Sequence, residues 1–162
     1  MWIDDGAPAG ATWTSKGGGL WSWAYFDPSP FSRLQDLQSD VTAGQAENDF
    51  VGFAGDKVNA GDHLFAYVFI DAAHPTSEIM LQWYDGSGWE HRAYWGSDQI
   101  NLGTDHTAGR FYAGSLPQTN GWLRLDVTAA SVGLVGSTVT GIALTQYGGR
   151  VSYDYAGLFP AP

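Results

Sequence analysis

The sequence predicts an all-β protein folded as a two-sheet antiparallel β-sandwich or jelly roll, and two observations carry this prediction. Apolar and polar residues alternate with a period of two in short segments that end at Gly, Asp, Asn or Ser, and no long segment repeats apolar residues at the helical spacing. These segments are too many for one open sheet, which would leave an aromatic face in water. We expect a single domain over residues 1–162.

The candidate strands follow one another along the chain, each bounded by turn-forming residues. In chain order they are Leu20–Tyr25, Phe31–Asp40, Asn48–Ala54, His63–Asp71, Glu78–Tyr84, Trp89–Gly96, Arg110–Ala113, Trp122–Val127, Val139–Tyr147 and Arg150–Leu158. A helical turn is expected near Thr128–Ser131.

The first candidate strand carries Trp21 and Trp23 on one face, directly after the glycine-rich stretch Lys16–Gly19. An exposed pair of indoles there would bind sugar. A packed strand that follows a loose loop is the commoner arrangement, and we prefer it.

Strand His63–Asp71 is apolar on both faces, which predicts a central strand. One face has Leu64, Ala66, Val68 and Ile70, and the other has Phe65, Tyr67 and Phe69. Either both faces are covered, or the aromatic face lines a groove next to the hairpin that follows. Tyr67 is the member whose hydroxyl we expect to reach a ligand.

Residues 78–96 predict a hairpin that turns at Asp85–Gly88. A loop of two or four residues would place Trp83 opposite Glu90 and mix apolar with charged partners. A bulged loop of three residues instead pairs Tyr84 with Gly88 and Gln82 with Glu90, and it separates the faces. In this register Met80 lies opposite Arg92, and Glu78 opposite Tyr94.

The polar face of this hairpin carries an amide, a carboxylate, a guanidinium and two phenols, about 7 Å apart along each strand. Paired hydrogen bonds from such groups suit adjacent sugar hydroxyls, and a phenol ring can lie against an apolar sugar face. The predicted ligand-binding residues are Gln82, Tyr84, Glu90, Arg92, Tyr94 and, from strand His63–Asp71, Tyr67. A solvated face with a Glu90–Arg92 ion pair explains the same pattern.

Trp83, Trp89 and Trp95 are assigned mainly to the core. The opposite arrangement would bury Glu90 and Arg92, which costs several kcal/mol unless both are fully paired.

A second hairpin is predicted at the carboxy terminus, with a two-residue turn at Gly148–Gly149 and Tyr147 paired with Arg150. This register places alternate residues on one dry face, namely Ile142, Leu144, Gln146, Val151, Tyr153 and Tyr155. Ala143, Thr145, Ser152 and Asp154 are then expected on the wetter face.

Composition narrows the classes of function. The chain has eight Trp, eight Tyr and eight Phe but no Cys, and its formal charge is −10. Nucleic acid is a poor partner for so acidic a chain, and disulfides, zinc–thiolate clusters and thiol nucleophiles are excluded. The apolar runs are too short to span a bilayer, and no signal pattern begins the chain. We expect a soluble, monomeric module cut from a longer secreted, extracellular protein, with no membrane partner.

Catalysis is not expected. Glycoside hydrolysis needs two carboxylates across a cleft, and no spacing among the three glutamates or the aspartates singles out such a pair. No nucleophile elbow, phosphate loop or His-x-x-x-His metal motif is present.

Calcium is left open by the residues. Asp5 near the start and Asp154 in the last strand would approach each other if the termini meet, and their oxygens could then share an ion of structural role. Acidic edge residues that prevent strand pairing with other chains explain the same pattern. No cofactor is required by the sequence.

Several segments resemble a module type that recurs in large secreted or surface proteins of environmental bacteria. They are Trp-Ile-Asp-Asp-Gly-Ala-Pro-Ala-Gly-Ala, Leu-Phe-Ala-Tyr-Val-Phe-Ile-Asp, Met-Leu-Gln-Trp-Tyr-Asp-Gly, Trp-Glu-His-Arg-Ala-Tyr-Trp-Gly and Gly-Trp-Leu-Arg-Leu-Asp-Val. In architecture the chain also resembles the jelly-roll carbohydrate-binding modules attached to polysaccharide-degrading enzymes. That resemblance implies a glycan on a concave sheet face, a structural calcium near the termini, and covalently linked catalytic or surface domains.

The sequence therefore predicts a non-catalytic carbohydrate-binding module for a polysaccharide or oligosaccharide, with plant or microbial glycan of the β-glucan type as the first guess. A structural spacer or protein-interaction module is the alternative. A small glycan hydrolase or lyase on the same fold is the third possibility.

Overall fold

The computed structural model describes residues 1–160 and confirms the two-sheet β-sandwich. Sheet I contains, in spatial order, β1 (Thr12–Gly17), β4 (Thr42–Lys57), β10 (Thr138–Gly149), β6 (Glu78–Tyr84), β7 (Arg92–Gly96) and β8 (Phe111–Gly114). Sheet II contains β2 (Trp21–Ala24), β3 (Asp36–Ser39), β11 (Val151–Phe159), β5 (His63–Ile70) and β9 (Trp122–Thr128). Neighbouring strands are antiparallel except β7 and β8, which are parallel. Within residues 1–160, no helix has the length and apolar character needed to cross a membrane.

The core lies between the two sheets and is built from alternate residues of each strand. Trp83 of sheet I and Tyr153 of sheet II are among the largest fully buried side chains. Leu64, Ala66, Val68 and Ile70 of β5 also face this core, as the alternation predicts. Burying one large apolar side chain contributes roughly 1.5–3 kcal/mol, so these inner faces supply the main stabilisation of the fold.

The predicted carboxy-terminal hairpin is wrong, because β10 and β11 belong to different sheets. Gly148 and Gly149 have φ values of 71° and 69°, and they carry the chain from sheet I to sheet II. A Cβ on Gly149 would lie 2.4 Å from the carbonyl oxygen of His74, so the crossing has no room for a side chain.

Most of the predicted dry face is nevertheless buried, because the inner faces of both sheets contribute to one core. Tyr155 is an exception, since it is half-buried and packs against Phe31 and Tyr67. The predicted wetter face is also wrong, because its four residues are at most 2% exposed.

Strand β5 also lies in a different sheet from the predicted hairpin β6–β7, so its aromatic face does not line a groove beside that hairpin. Phe31 stacks on Tyr67 instead, with ring centroids 3.6 Å apart and an interplanar angle of 15°. Residues 31–35 were predicted as strand but form a loop over sheet II. Their backbone N–H groups donate to the carboxylates of Asp5 and Asp154 rather than to a neighbouring strand.

Two differences concern the amino-terminal half. Strand β1 was not predicted, and β4 extends well beyond the predicted Asn48–Ala54. Trp21 is buried in the core and Trp23 packs against it, so these indoles belong to a packed strand.

Candidate functional site: a polar groove on the outer face of sheet I

The hairpin β6–β7 supplies the centre of the groove, in a register two residues away from the predicted one. Gln82 lies opposite Arg92, Met80 opposite Tyr94, and Glu78 opposite Gly96. The predicted pairs Gln82 with Glu90 and Met80 with Arg92 are therefore wrong. A shift of two residues keeps every side chain of the strands on its predicted face.

The register differs because the connection is longer than three residues. The carboxylate of Asp85 accepts hydrogen bonds from the backbone N–H groups of Ser87 and Gly88, at 2.9 and 3.1 Å, and from the Ser87 hydroxyl. Partial burial raises the pKa of Asp85, but these bonds and one from His91 outweigh it and lower the pKa to about 2. The ionised carboxylate thus holds a wide turn, and β7 begins only at Arg92.

The floor of the groove is a buried hydrogen-bond network across neighbouring strands. The Arg92 Nε donates to Gln82 Oε1 at 2.7 Å, and Gln82 Nε2 donates to Glu47 Oε2 and to Thr145 Oγ1, both at 2.8 Å. The Thr145 hydroxyl in turn donates to Glu47 at 3.2 Å. These four side chains are at most 6% exposed. A paired network of this kind fixes the positions of its members.

Lys16 of β1 extends the network to the edge of the sheet. Its ammonium group donates to Glu47 Oε1 at 3.0 Å and to the carboxylate of Asp49. The hydrogen bond to Asp49, with that to Glu47, outweighs partial desolvation and raises the pKa of Lys16 above its usual value. The ammonium group is therefore charged over the whole neutral range.

A loop of residues 97–110, called the wall loop below, closes one side of the groove. The buried carboxylate of Glu78 accepts hydrogen bonds from the backbone N–H groups of Gln99 and Ile100, at 2.5 and 2.8 Å. The Tyr94 hydroxyl donates to Asp105 at 3.2 Å. Burial, followed by this bond to Asp105, raises the pKa of Tyr94 to about 12. Two side chains of the sheet thus anchor the wall loop.

The rim of the groove carries an indole that was assigned to the core. Trp83 and Trp95 are buried as predicted, but Trp89 is only half-buried and lies on the outer face. Its ring is tilted by 42° against Tyr84, with centroids 5.3 Å apart. Gly141 lies beneath, where a Cβ would be 3.5 Å from the Trp89 ring. The cleft holds about 230 Å³ and is lined by Lys16, Gln45, Glu47, Gln82, Trp89, Arg92 and Leu102.

The structure brings together four of the six predicted ligand-binding residues. Gln82 and Arg92 form the floor, Tyr84 lies beside Trp89, and Glu90 stands at the rim with a 70% exposed side chain, 3.0 Å from Arg92. Tyr94 is only 4% exposed beneath the wall loop. Tyr67 lies on the opposite sheet under Phe31, far from this groove in the fold.

Sequence reasoning missed five lining residues, Lys16, Gln45, Glu47, Trp89 and Leu102. Glu47 and Asp49 alternate on β4, which is the same signal that identified the polar residues of β6, so they could have been found. Lys16 required the pairing of an unpredicted edge strand. Trp89 required the conformation of the turn.

The groove combines an aromatic ring with groups that can exchange hydrogen bonds. Among the described residues, no hydrogen bond engages Arg92 Nη2, while Nε and Nη1 are used. Glu90 adds an exposed carboxylate that accepts hydrogen bonds. A ligand with an apolar face and a ring of hydroxyls matches such a surface.

Of the predicted metal residues, Asp154 belongs to β11 of sheet II and Asp5 to the segment before β1, and both accept hydrogen bonds from backbone N–H groups. Asp5 accepts from the N–H groups of Leu34 and Gln35, at 2.7 and 3.0 Å, and Asp154 accepts from Ser32 at 2.8 Å. Burial, then the charges of Asp4 and Asp5, raise the pKa of Asp154.

Three carboxylate oxygens nearby lack a well-formed hydrogen bond, which is favourable chemistry for a hard cation, although Asp4 is paired with Arg33 through its other oxygen, at 3.1 Å. Asp4 Oδ1 and both oxygens of Asp36 are buried without a hydrogen bond of good geometry. Within residues 1–160, however, no three His, Cys, Asp or Glu side chains are arranged to hold a metal ion. Calcium stays a prediction.

Comparison with known proteins finds solved structures that share this fold. The sequence matches no protein-family model and no curated protein. The structure is similar to a carbohydrate-binding module of the β-sandwich superfamily, with a TM-score of 0.59 and 12% identity over 98% of this chain and 61% of that one. The chain thus spans less than two thirds of that structure.

Two further solved structures share the fold. One is the CBM22-2 xylan-binding domain of Xyn10C from Paenibacillus barcinonensis, with a TM-score of 0.51 and 9% identity over 98% of both chains. The other is the glycoside hydrolase domain of Endo-D from Streptococcus pneumoniae R6, with a TM-score of 0.53 and 10% identity over 91% of this chain but only 21% of that one. The predicted resemblance to carbohydrate-binding modules is confirmed for the fold.

Proposed function

We propose that the chain is a non-catalytic carbohydrate-binding module that holds a polysaccharide in the groove on sheet I. Support comes from the fold, which known carbohydrate-binding modules share, and from the polar and aromatic lining of the groove. A β-glucan is the first candidate ligand, and xylan is the second because a fold neighbour is a xylan-binding domain.

The observation that carries the proposal is the position of Trp89. The indole is half-buried against the Tyr84 ring, and the rest of it remains accessible beside the polar floor. Sugar C–H groups pack on such a ring while hydroxyls reach Arg92 and Glu90. Apart from Arg92 Nη2, the floor is already paired, so we expect ligand contacts at the rim to dominate the binding energy.

The test is binding across a panel of polysaccharides, measured by affinity electrophoresis and calorimetry on β-glucans, xylan, mannan, pectin and alginate. Flexible, hydrated glycans lose conformational entropy on binding. We therefore expect a micromolar-to-millimolar Kd, which corresponds to a binding free energy of about −8 to −4 kcal/mol. A folded protein that binds none of these polymers would refute the proposal.

Trp89→Ala is the first variant to test. We expect at least a tenfold weaker Kd, about 1.4 kcal/mol, with little change in thermal stability because the ring is only half-buried. The matched control is Trp13→Ala, which removes a 48% exposed indole that stacks on Phe50 outside the groove. Equal glycan affinity in Trp89→Ala and the wild type would show that the groove is not the binding site.

A protein-interaction module is the second candidate, favoured by one observation. Leu20, Tyr25 and Phe26 flank the edge strand β2 and are 63–78% exposed. Replacing Tyr25 and Phe26 by Ser would weaken binding to a neighbouring domain but leave glycan binding unchanged.

Catalysis is tested in the same panel. Glu47 has both carboxylate oxygens bonded to Lys16, Gln82 and Thr145, which restricts it as a proton donor or nucleophile. We therefore expect no product release from any polymer. Release that Glu90→Gln abolishes would instead indicate a hydrolase or lyase.

We further propose that the module is secreted as a monomer and is joined to catalytic or surface domains in its parent protein. Its fold neighbours include a module-sized domain and a domain within a much larger enzyme. The sequence of the parent gene and the sedimentation of the isolated module test these two points.

A further inference from the structure

Every cation around the groove is already paired with carboxylates. Lys16 bonds Glu47 and Asp49, and Arg92 bonds Glu90 at 3.0 Å. In the wall loop, Arg110 lies 3.7 Å from Asp98 and 3.8 Å from Asp105. These described groups amount to five carboxylates against three cations, so the surroundings of the groove are negative overall.

The vacant donor of Arg92 is not isolated from this negative charge. Arg92 Nη2 has no partner among the described residues, but Nη1 of the same guanidinium binds Glu90. An incoming carboxylate would therefore meet the charge of Glu90, whose side chain is 70% exposed, or would have to displace it. The formal charge of −10 on the whole chain opposes such a ligand at long range as well.

Sugar hydroxyls meet no such obstacle. A hydroxyl can donate to Glu90 and accept from Arg92 Nη2 at the same time, because it carries one donor and two acceptor lone pairs. A carboxylate can only accept. The groove is thus complementary to uncharged polyols.

We infer that this groove selects neutral glycans and rejects chains built from uronic acids. The inference rests on the proposed function and goes beyond it by fixing the charge class of the ligand.

The experiment uses polymers that share linkage and length and differ only at C6. Oligomers of β-1,4-mannan are compared with β-1,4-mannuronan, and cello-oligosaccharides with β-1,4-glucuronan, by calorimetry at low ionic strength. In the pair whose neutral oligomer binds, the uronate is expected to bind at least tenfold more weakly than that neutral oligomer. The gap should narrow in high salt, because screening shortens the reach of the carboxylates. Methyl-esterified uronate keeps the added bulk but loses the charge, and it is expected to bind nearly as well as the neutral chain.

Charge variants locate the effect. Glu90→Gln is expected to lower the ratio of neutral to uronate affinity by about threefold or more, whatever it does to either affinity alone. Asp27→Asn removes the same charge from an 87% exposed side chain in the loop between β2 and β3, and it should leave the ratio unchanged.

Three results would overturn the inference. If a uronate binds as well as its neutral partner, the inference is wrong but the proposed function still holds. An equal change of ratio in both variants would assign the preference to net charge rather than to the groove. A folded protein that binds no glycan at all would remove the proposed function and the inference together.

Discussion

Gln82 joins the strands of the groove floor, because each polar atom of its side chain contacts a different partner. Its Oε1 accepts from Arg92 of β7, and its Nε2 donates to Glu47 of β4 and Thr145 of β10. The sequence pointed to Gln82 as a ligand contact. In the structure it acts first as the link that holds the charged residues in place.

Gln82→Leu is predicted to destabilise the fold by about 2–4 kcal/mol. The substitution leaves the buried Arg92 Nε without an acceptor and removes one donor from the Glu47 carboxylate. Urea unfolding should show a lower midpoint with an unchanged slope. Gln45→Leu is the control, because Gln45 lines the same groove without a side-chain hydrogen bond among the described residues. Similar losses in the two variants would contradict a structural role for the network.

At the scale of single residues, the sequence predicted which face of the sheet a side chain lies on better than it predicted which residues lie beside it. The period of two placed Gln82, Glu90 and Arg92 on one side of the hairpin, and the shift of two in register did not alter that. Trp89 escaped prediction because it follows the Asp85 turn, where hydrogen bonds rather than alternation set the direction of each side chain.

Among the elements, the wall loop depends on close contact with the sheet. Gly103 has φ of 75°, and a Cβ there would lie 2.2 Å from the carbonyl oxygen of Gly109 and 2.7 Å from Arg92 Nη1. Only glycine permits this approach. The loop also covers Tyr94 and thereby converts one predicted ligand contact into an anchor.

Gly103→Ala is predicted to displace the wall loop, lowering stability by about 2–4 kcal/mol and weakening glycan binding through Arg92. Gly86→Ala is the matched control, since Gly86 also has a positive φ of 90° but no atom within 4 Å of its added Cβ. It should cost only about 1 kcal/mol, the strain of the backbone alone. Thermal unfolding and calorimetry measure the two effects, and equal costs would mean that the contact with Gly109 is not restrictive.

The error in the carboxy-terminal hairpin also belongs to the scale of elements. Alternation in β10 and β11 correctly identified the residues that face the core, such as Leu144 and Tyr153. In a sandwich, two strands satisfy the same pattern whether they pair in one sheet or face each other across the core. Gly148 and Gly149 suit either connection, so only the contact of Gly149 with residues 74–76 distinguishes them.

On the scale of the whole molecule, the two ends of the chain meet on sheet II. Ile3 forms a β-bridge with Ala156, which brings Asp4 and Asp5 near Asp154. The sequence suggested this meeting because termini of sandwiches often approach each other. It did not suggest Asp36, whose burial against Asp154 required the position of β3 next to β11.

Asp36 is predicted to make the stability of the sandwich depend on pH. Burial, then the charge of Asp154, raise the pKa of Asp36 from 3.8 to about 7, against a small opposing effect of the Ser152 hydroxyl. The folded chain keeps a proton that the unfolded chain loses, so the free energy of unfolding should fall by at most about 4 kcal/mol as pH rises from about 4 to about 7. Asp36→Asn cannot ionise and should remove this contribution, as urea unfolding in metal-free buffer would show. A parallel decline in both proteins would contradict the assignment.

If the predicted site exists, calcium should restore the free energy of unfolding that the sandwich loses as the pH rises to about 7. Above about pH 7 the carboxylates of Asp4, Asp36 and Asp154 repel one another, and a cation that binds only the folded chain stabilises it by mass action. At a hundredfold excess over Kd the gain is about 2.7 kcal/mol, visible as a higher Tm. Asp36→Asn should weaken the response to calcium, whereas Asp27→Asn in the loop between β2 and β3 should keep it. An unchanged Tm when calcium is added to chelator-treated wild-type protein would mean that Asp5 and Asp154 serve only to hold the backbone of residues 32–35.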